Sequence, residues 1–186
     1  MASKIKVDTL ETANGSGTIA LSNQLSGMTT ASLPALGSAQ MPTGSVLQVV
    51  STGTIATAST TSTSFVDSGM TQAITPSSTS SKIRVDVCFV CTIRGSNESL
   101  RGGIKILRGS TVIWNSAGTN ETWQVRGSPA ELNMILSPIV LDSPSSTSAV
   151  TYKIQYASNA GSASAGTFTL YNNTYGTAMI LTEIQG

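Results

Sequence analysis

The chain has 186 residues and a formal charge of +1, and only 10% of its residues are charged, against roughly 25% in ordinary globular domains. Small hydroxyls fill the gap: 29 Ser and 26 Thr make 55 of the 186 residues. The near-zero charge excludes a protein that grips a nucleic-acid backbone or an anionic membrane by charge, and the absence of histidine excludes histidine-dependent triads and histidine-bearing zinc sites.

At the start, Met1-Ala2-Ser3-Lys4-Ile5-Lys6 lacks the apolar run of a secretory signal, and no stretch reaches the 18 or so apolar residues of a membrane span. The expectation is a protein that is neither exported nor inserted into a membrane. From Lys4 to about Met41 the apolar residues (Ile5, Val7, Leu10, Ile19, Leu21, Leu25, Met28, Leu33, Leu36) are sparse and irregular. They cannot close a core of their own and need another surface. Asn14-Gly15-Ser16-Gly17 lies between Ile5-Lys6-Val7 and Thr18-Ile19-Ala20-Leu21, which predicts two extended segments joined by a Gly-rich turn. Leu21 to Met28 reads as a short helical turn. Leu33-Pro34 favours extended backbone, and Gly37, Pro42 and Gly44 read as a linker. Two regions follow, residues 1–43 and 44–186.

From Ser45 onward the hydrophobic period becomes two. Along Lys82 to Arg94, Ile83, Val85, Val87, Phe89, Cys91 and Ile93 alternate with Arg84, Asp86, Cys88, Val90, Thr92 and Arg94, the pattern of a half-buried strand. Ser45–Thr54, Ser64–Asp67, Thr71–Thr75, Gly103–Leu107, Thr111–Asn115, Thr122–Val125, Asn133–Leu141, Ala149–Ser158, Thr167–Asn172 and Thr177–Ile184 are further strands. Ser51–Ser64 and Pro76–Ser81 read as loops. This many short strands predict an all-β fold, an antiparallel β-sandwich with a jelly roll as the favoured topology.

Few residues carry chemistry. Cys88 and Cys91 form Cys-x-x-Cys, but on a strand they point to opposite faces and cannot share a metal or a bridge. No cofactor or metal is expected. The carboxylates show no paired motif of the kind a glycosidase requires, although Glu98, Glu121 and Glu131 fall in one region. Arg-Gly-Ser occurs at Arg94, Arg108 and Arg126, with Arg101-Gly102-Gly103 between. One reading is strand-ending Gly-Ser turns. The sharper one notes four arginines between Arg94 and Arg126 beside Trp114 and Trp123, since arginine forks grip anions and tryptophan faces stack on sugar rings. Arg101, Trp114, Trp123 and Arg126 are therefore candidate contacts for an anionic cell-surface glycan. Tyr171 and Tyr175, flanking Asn172-Asn173-Thr174, are candidates of the same kind. Tyr152, Ile154, Tyr156, Phe168 and Leu170 read as core.

Ser3-Lys4-Ile5-Lys6-Val7-Asp8-Thr9-Leu10-Glu11-Thr12 and Asn14-Gly15-Ser16-Gly17-Thr18-Ile19 resemble the amino-terminal segment of tail-fibre and related virion proteins of cyanobacterial and marine bacteriophages. Ala178-Met179-Ile180-Leu181-Thr182-Glu183-Ile184 is similar to the last strand of their distal β-sandwich knobs. The resemblance implies a homotrimer made in the host cytoplasm and carried on the virion tail. Residues 1–43 would attach to baseplate or tail proteins and intertwine through Ile5, Val7, Leu10, Ile19, Leu21 and Leu25, and the knob, residues 44–186, would bind a host surface polysaccharide. The chain departs from such fibres in lacking long shaft repeats and a His-x-His iron motif. Two other readings compete: a purely structural virion piece, either baseplate linker or capsid decoration, and a tail-borne polysaccharide depolymerase.

Overall fold

A computed structural model of the chain describes residues 37, 40–52, 55–95, 99–116, 123–126, 130–158, 166–171 and 176–186, with the backbone alone at 99, 123–126 and 130. Contacts divide the chain into Met1–Leu36 and Gly37–Gly186, and every described residue belongs to the second unit. The expected amino-terminal hairpin and helical turn, with Ile5, Val7, Leu10, Ile19, Leu21 and Leu25, lie outside the described residues.

The described residues are nearly all β and contain no α-helix. The strands are β1 (Val46–Ser51), β2 (Ala58–Thr60), β3 (Val66–Ile74), β4 (Lys82–Gly95), β5 (Ser99–Arg108), β6 (Thr111–Asn115), β7 (Trp123–Arg126), β8 (Ala130–Leu136), β9 (Ile139–Asp142), β10 (Val150–Ser158), β11 (Thr167–Leu170) and β12 (Ala178–Ile184). All pairings are antiparallel. The first sheet runs β1-β12-β4-β11-β2, with β8 and β9 also on β4, and the second runs β3-β10-β5-β6, with β7 also on β5.

The 14-residue β4 explains why the first sheet looks fragmented. Its first half pairs with β12 on one side and β9 on the other, and its second half pairs with β11 and β8. β11 and β12, β8 and β9, and β1 and β2 are thus consecutive pieces of three interrupted ribbons. β6 and β7 follow one another along β5 in the same way.

Three strand expectations need correction. The loop reading of Ser51–Ser64 misses β2, whose Ala58, Ser59 and Thr60 pair with Leu170, Thr169 and Phe168. The two strands expected within 64–75 are one, β3, with an irregular register opposite Lys153 and Gln155. Gly69 sits there at φ 83°, a backbone conformation that glycine adopts without strain, so what reads as a strand break is a bulge. Asn133–Leu141 is two strands because Ser137-Pro138 interrupts it, and Pro138 turns its carbonyl to the Val87 N–H at 3.1 Å.

Alternation does the burying. Ile83, Val85, Val87, Phe89, Cys91 and Ile93 of β4 all enter the core, joined by Phe168, Leu170, Met179 and Leu181 from the same sheet. Met70, Ile74, Leu100, Ile104, Ile106, Tyr152, Ile154 and Tyr156 of the second sheet complete one continuous cluster. Tyr156 meets Phe168 edge-on across it, with ring centroids 5.5 Å apart, a favoured aromatic geometry. Cys88 and Cys91 are both free thiols; Cys91 is buried and Cys88 half-buried, on opposite faces of β4.

Polar clamps tie the layers together. Arg108 of β5 donates to both carboxylate oxygens of Asp142 on β9 at 2.9 and 2.8 Å, and the Tyr152 hydroxyl of β10 donates to the same carboxylate at 2.7 Å. At the chain's end the buried Glu183 carboxylate accepts from Gln48 Nε2, from the Ser77 N–H and hydroxyl, and from the Ser81 hydroxyl. The Gly44 N–H donates to the Gln185 carbonyl at 2.8 Å, fastening the segment before β1 to the chain's last residues.

Candidate functional site

The outer face of the first sheet divides into two territories along β4. On its second half, residues of β8, β4 and β11 stand side by side: Thr92 is registered with Asn133 and Thr169, and Arg94 with Glu131 and Thr167. Arg94 holds Glu131 in a forked pair, Nε at 3.1 Å and Nη2 at 2.9 Å. Asn133 Nδ2 donates to the same carboxylate at 3.3 Å. The Thr92 hydroxyl donates to Asn133 Oδ1 and meets the Tyr171 hydroxyl at 3.2 Å. A guanidinium, a carboxylate and an amide are thereby fixed on one open sheet surface, over the buried Thr92 hydroxyl and beside that of the partly buried Tyr171. The hydrogen bonds from Arg94, and then from Asn133, hold the Glu131 carboxyl below its ordinary range. The same pair raises Arg94.

The first half of β4 carries a different surface. Ile180, Asp86 and Ile139 are registered in one row, and Thr182, Arg84 and Leu141 in the next. Val49 continues the second row on β1, and Ile135 stands opposite Val90 on β8. Val46, Val49, Ile135, Ile139, Leu141 and Ile180 are between 39% and 68% exposed. Arg84 and Asp86 neutralise each other at 2.7 Å. On the far side of the first row, toward Cys88 and Ala178, lies a notch of about 150 Å³ lined by Val87, Cys88, Ser137, Ile139, Ala178 and Ile180, with Asp86 at its side.

The outer face of the second sheet is polar by comparison. Asp67 accepts from Gln155 at 2.8 Å and Lys153 at 3.0 Å, which lowers its carboxyl, the Gln155 bond first. Lys105 lies over the Phe65 ring at 4.0 Å.

The structure separates the residues that the sequence singles out. Arg101, Trp123 and Arg126 belong to the β5–β7 pair of the second sheet, where Arg101 faces Gln124, Trp123 is opposite Gly102 and Arg126 opposite Ser99. Trp114 on β6 is partly buried and packs against the hydrophobic core, so part of its ring serves packing. Tyr171 belongs to the polar array on the other sheet, and Tyr175 lies outside the described residues. Arg108-Gly109-Ser110 follows the turn reading, with Gly109 at φ 57° between the registered pair Arg108 and Thr111. Its arginine forms the Asp142 clamp.

Thr92, Arg94, Glu131 and Asn133 escape sequence reading as a group. Thr92 and Arg94 share the mixed face of the clearest strand, but their partners lie about 40 residues on, at |i−j| of 41 and 37. The signal that could have found them is the alternation Glu131, Asn133, Ile135 against Leu132, Met134, Leu136, which begins two residues before the expected strand.

Among the described carboxylates, Asp67, Asp86, Glu131, Asp142 and Glu183 each have a partner stated above. No group of three or more His, Cys, Asp or Glu side chains that could hold a metal ion occurs among the described residues, and no helix among them is long and apolar enough to cross a membrane. No protein-family model matches the chain, and no match is found among curated proteins.

Proposed function

We propose that the chain is a bacteriophage virion protein, a short trimeric tail fibre attached to the baseplate or tail through its amino-terminal segment. Its knob is a jelly-roll β-sandwich that binds a host cell-surface polysaccharide without covalent chemistry. The fold part of this reading is supported by strand order. Counting each interrupted ribbon once, in chain order, the first sheet runs first-eighth-third-sixth and the second runs second-seventh-fourth-fifth. That is the arrangement of two interleaved Greek keys, used by viral capsid and lectin domains.

The observation that carries the functional part is the polar array on β4, β8 and β11. Sugar hydroxyls are bound by planar donors and acceptors held rigidly beside an aromatic ring. Arg94, Glu131, Asn133 and Tyr171 supply that set on a sheet, with the buried Thr92 hydroxyl bonded to Asn133 from below. The engagement of Glu131 with Arg94 weighs against Glu131 as a general acid, which needs a raised pKa, because this carboxyl is lowered.

A second reading, a baseplate linker or capsid decoration protein, is favoured by one feature of the same array: its members already satisfy each other's hydrogen bonds. Adsorption separates the two. Fluorescently labelled full-length protein should label host cells, and Asn133→Ala or Arg94→Ala should cut labelling at least tenfold without changing the melting temperature by more than a few degrees. Arg101→Ala tests the other sheet. Failure of the full-length protein to label any cell on which the phage grows would refute the adhesion reading and favour the linker.

A further inference from the structure

We infer that the apolar territory on the outer face of the first sheet is where copies of this chain pack against one another. The inference deepens the oligomeric part of the reading above and is independent of any glycan. Six of the seven large hydrophobic residues that are exposed among the described residues, Val46, Val49, Ile135, Ile139, Leu141 and Ile180, stand on this one face; Val112 on β6 is the seventh. At their exposures they leave on the order of 500 Å² of apolar surface on this face, interrupted by Thr182 and the Arg84–Asp86 pair, an area like that of the largest, often functional, patches on monomers.

The area and the charge argue for a second copy as the occupant. Subunit interfaces take about 800 Å² from each partner, about 65% of it apolar in homo-oligomers, and a field of this size supplies that apolar share. A foreign partner would be selected by complementary charge, yet the charges within the field, Arg84 and Asp86, are already paired with each other. A second copy packed on this face therefore meets no uncompensated charge there, with Lys82 only at the rim. The face also carries both a socket and projections. The notch beside Cys88 has room for an aliphatic side chain, and Ile135, 68% exposed, is of the size to enter one.

Cys88 lines that notch, which provides a local readout. Cys91 is buried, and burial pushes its thiol up to about 12, so in the folded chain Cys88 is the thiol open to alkylation. In full-length protein, sedimentation should give an oligomer, and the alkylation rate of Cys88 should fall at least tenfold between nanomolar and micromolar protein. The variant I139D/I180D should lose that protection and sediment as a smaller species, while Cys91 stays unlabelled as proof of folding. Should Cys91 become reactive in that variant, I139S/I180S is used in its place. V112D, on the other sheet, should change nothing. A monomeric wild type, or an oligomer whose Cys88 is labelled at a concentration-independent rate, overturns the inference. Cys88 protection without any cell labelling would leave the inference standing and refute the adhesion reading alone.

Discussion

At the scale of single residues, Glu183 shows how a charge-poor chain uses the charge it has. Its residue is wholly buried, and burial alone would raise its pKa. The bonds from Gln48, Ser81 and Ser77 outweigh that cost and hold the carboxyl below its usual range. Because the folded pKa is depressed, the stabilisation is complete above the unfolded value and is lost as pH falls from there through the folded one. Resistance to urea should therefore weaken as pH falls below about 4.5, and this part of the slope should be missing in E183Q. At pH 7 the same variant should lose about 1–3 kcal/mol, because an amide cannot accept from every donor that surrounds the site. Gly102 is a second such position: a Cβ there would lie 2.6 Å from Ile93 Cδ1 and 3.3 Å from the Phe168 ring. G102A should lower stability by about 1–3 kcal/mol through overpacking, measured by its denaturation midpoint. Arg101-Gly102-Gly103 looks like a recognition motif in the sequence, and Gly102 is there for core packing.

At the scale of elements, what could be read from the sequence was what alternation encodes. β4 and β10 were legible because one face of each strand is wholly apolar, and β6 because a Gly-Ser turn marks its start. β2 was not, since a three-residue Ala-Ser-Thr strand has no hydrophobic face and depends on β11 for its definition. The break between β8 and β9 was masked by the nearly continuous apolar run from Met134 to Leu141. Long-range polar partners leave no local signal at all, and that is why the Arg94–Glu131–Asn133 array and the Arg108–Asp142–Tyr152 clamp escape a reading of the sequence. The clamp is testable as a unit, because it joins β5 and β10 of one sheet to β9 of the other. Asp142 and Arg108 side chains are only 11% and 26% exposed, so D142A should cost about 3–5 kcal/mol by stranding a mostly buried guanidinium. The double variant R108M/D142L should recover most of that loss. Equal losses in the single and double variants would mean that the clamp acts through packing and not through charge.

At the scale of the whole molecule, the two territories on one sheet face suggest a division of labour: an apolar half that meets other copies, and a polar half left open beside it. Since both lie on the same rigid β4, assembly would present several polar arrays at fixed spacing, and binding to a repetitive surface would become multivalent. A single array, satisfied internally and offering few new bonds, is expected to bind a soluble oligosaccharide weakly, and the assembled protein to hold a cell surface by avidity. I139D/I180D leaves Arg94, Glu131, Asn133 and Tyr171 untouched. It should therefore keep its affinity for a soluble oligosaccharide, measured by calorimetry, while its apparent affinity for intact cells falls by about 10² or more. Equal losses in both assays would mean that the apolar half takes part in recognition directly. An unchanged affinity for cells would mean that one array is sufficient, and the spacing of copies would then have no part in adhesion.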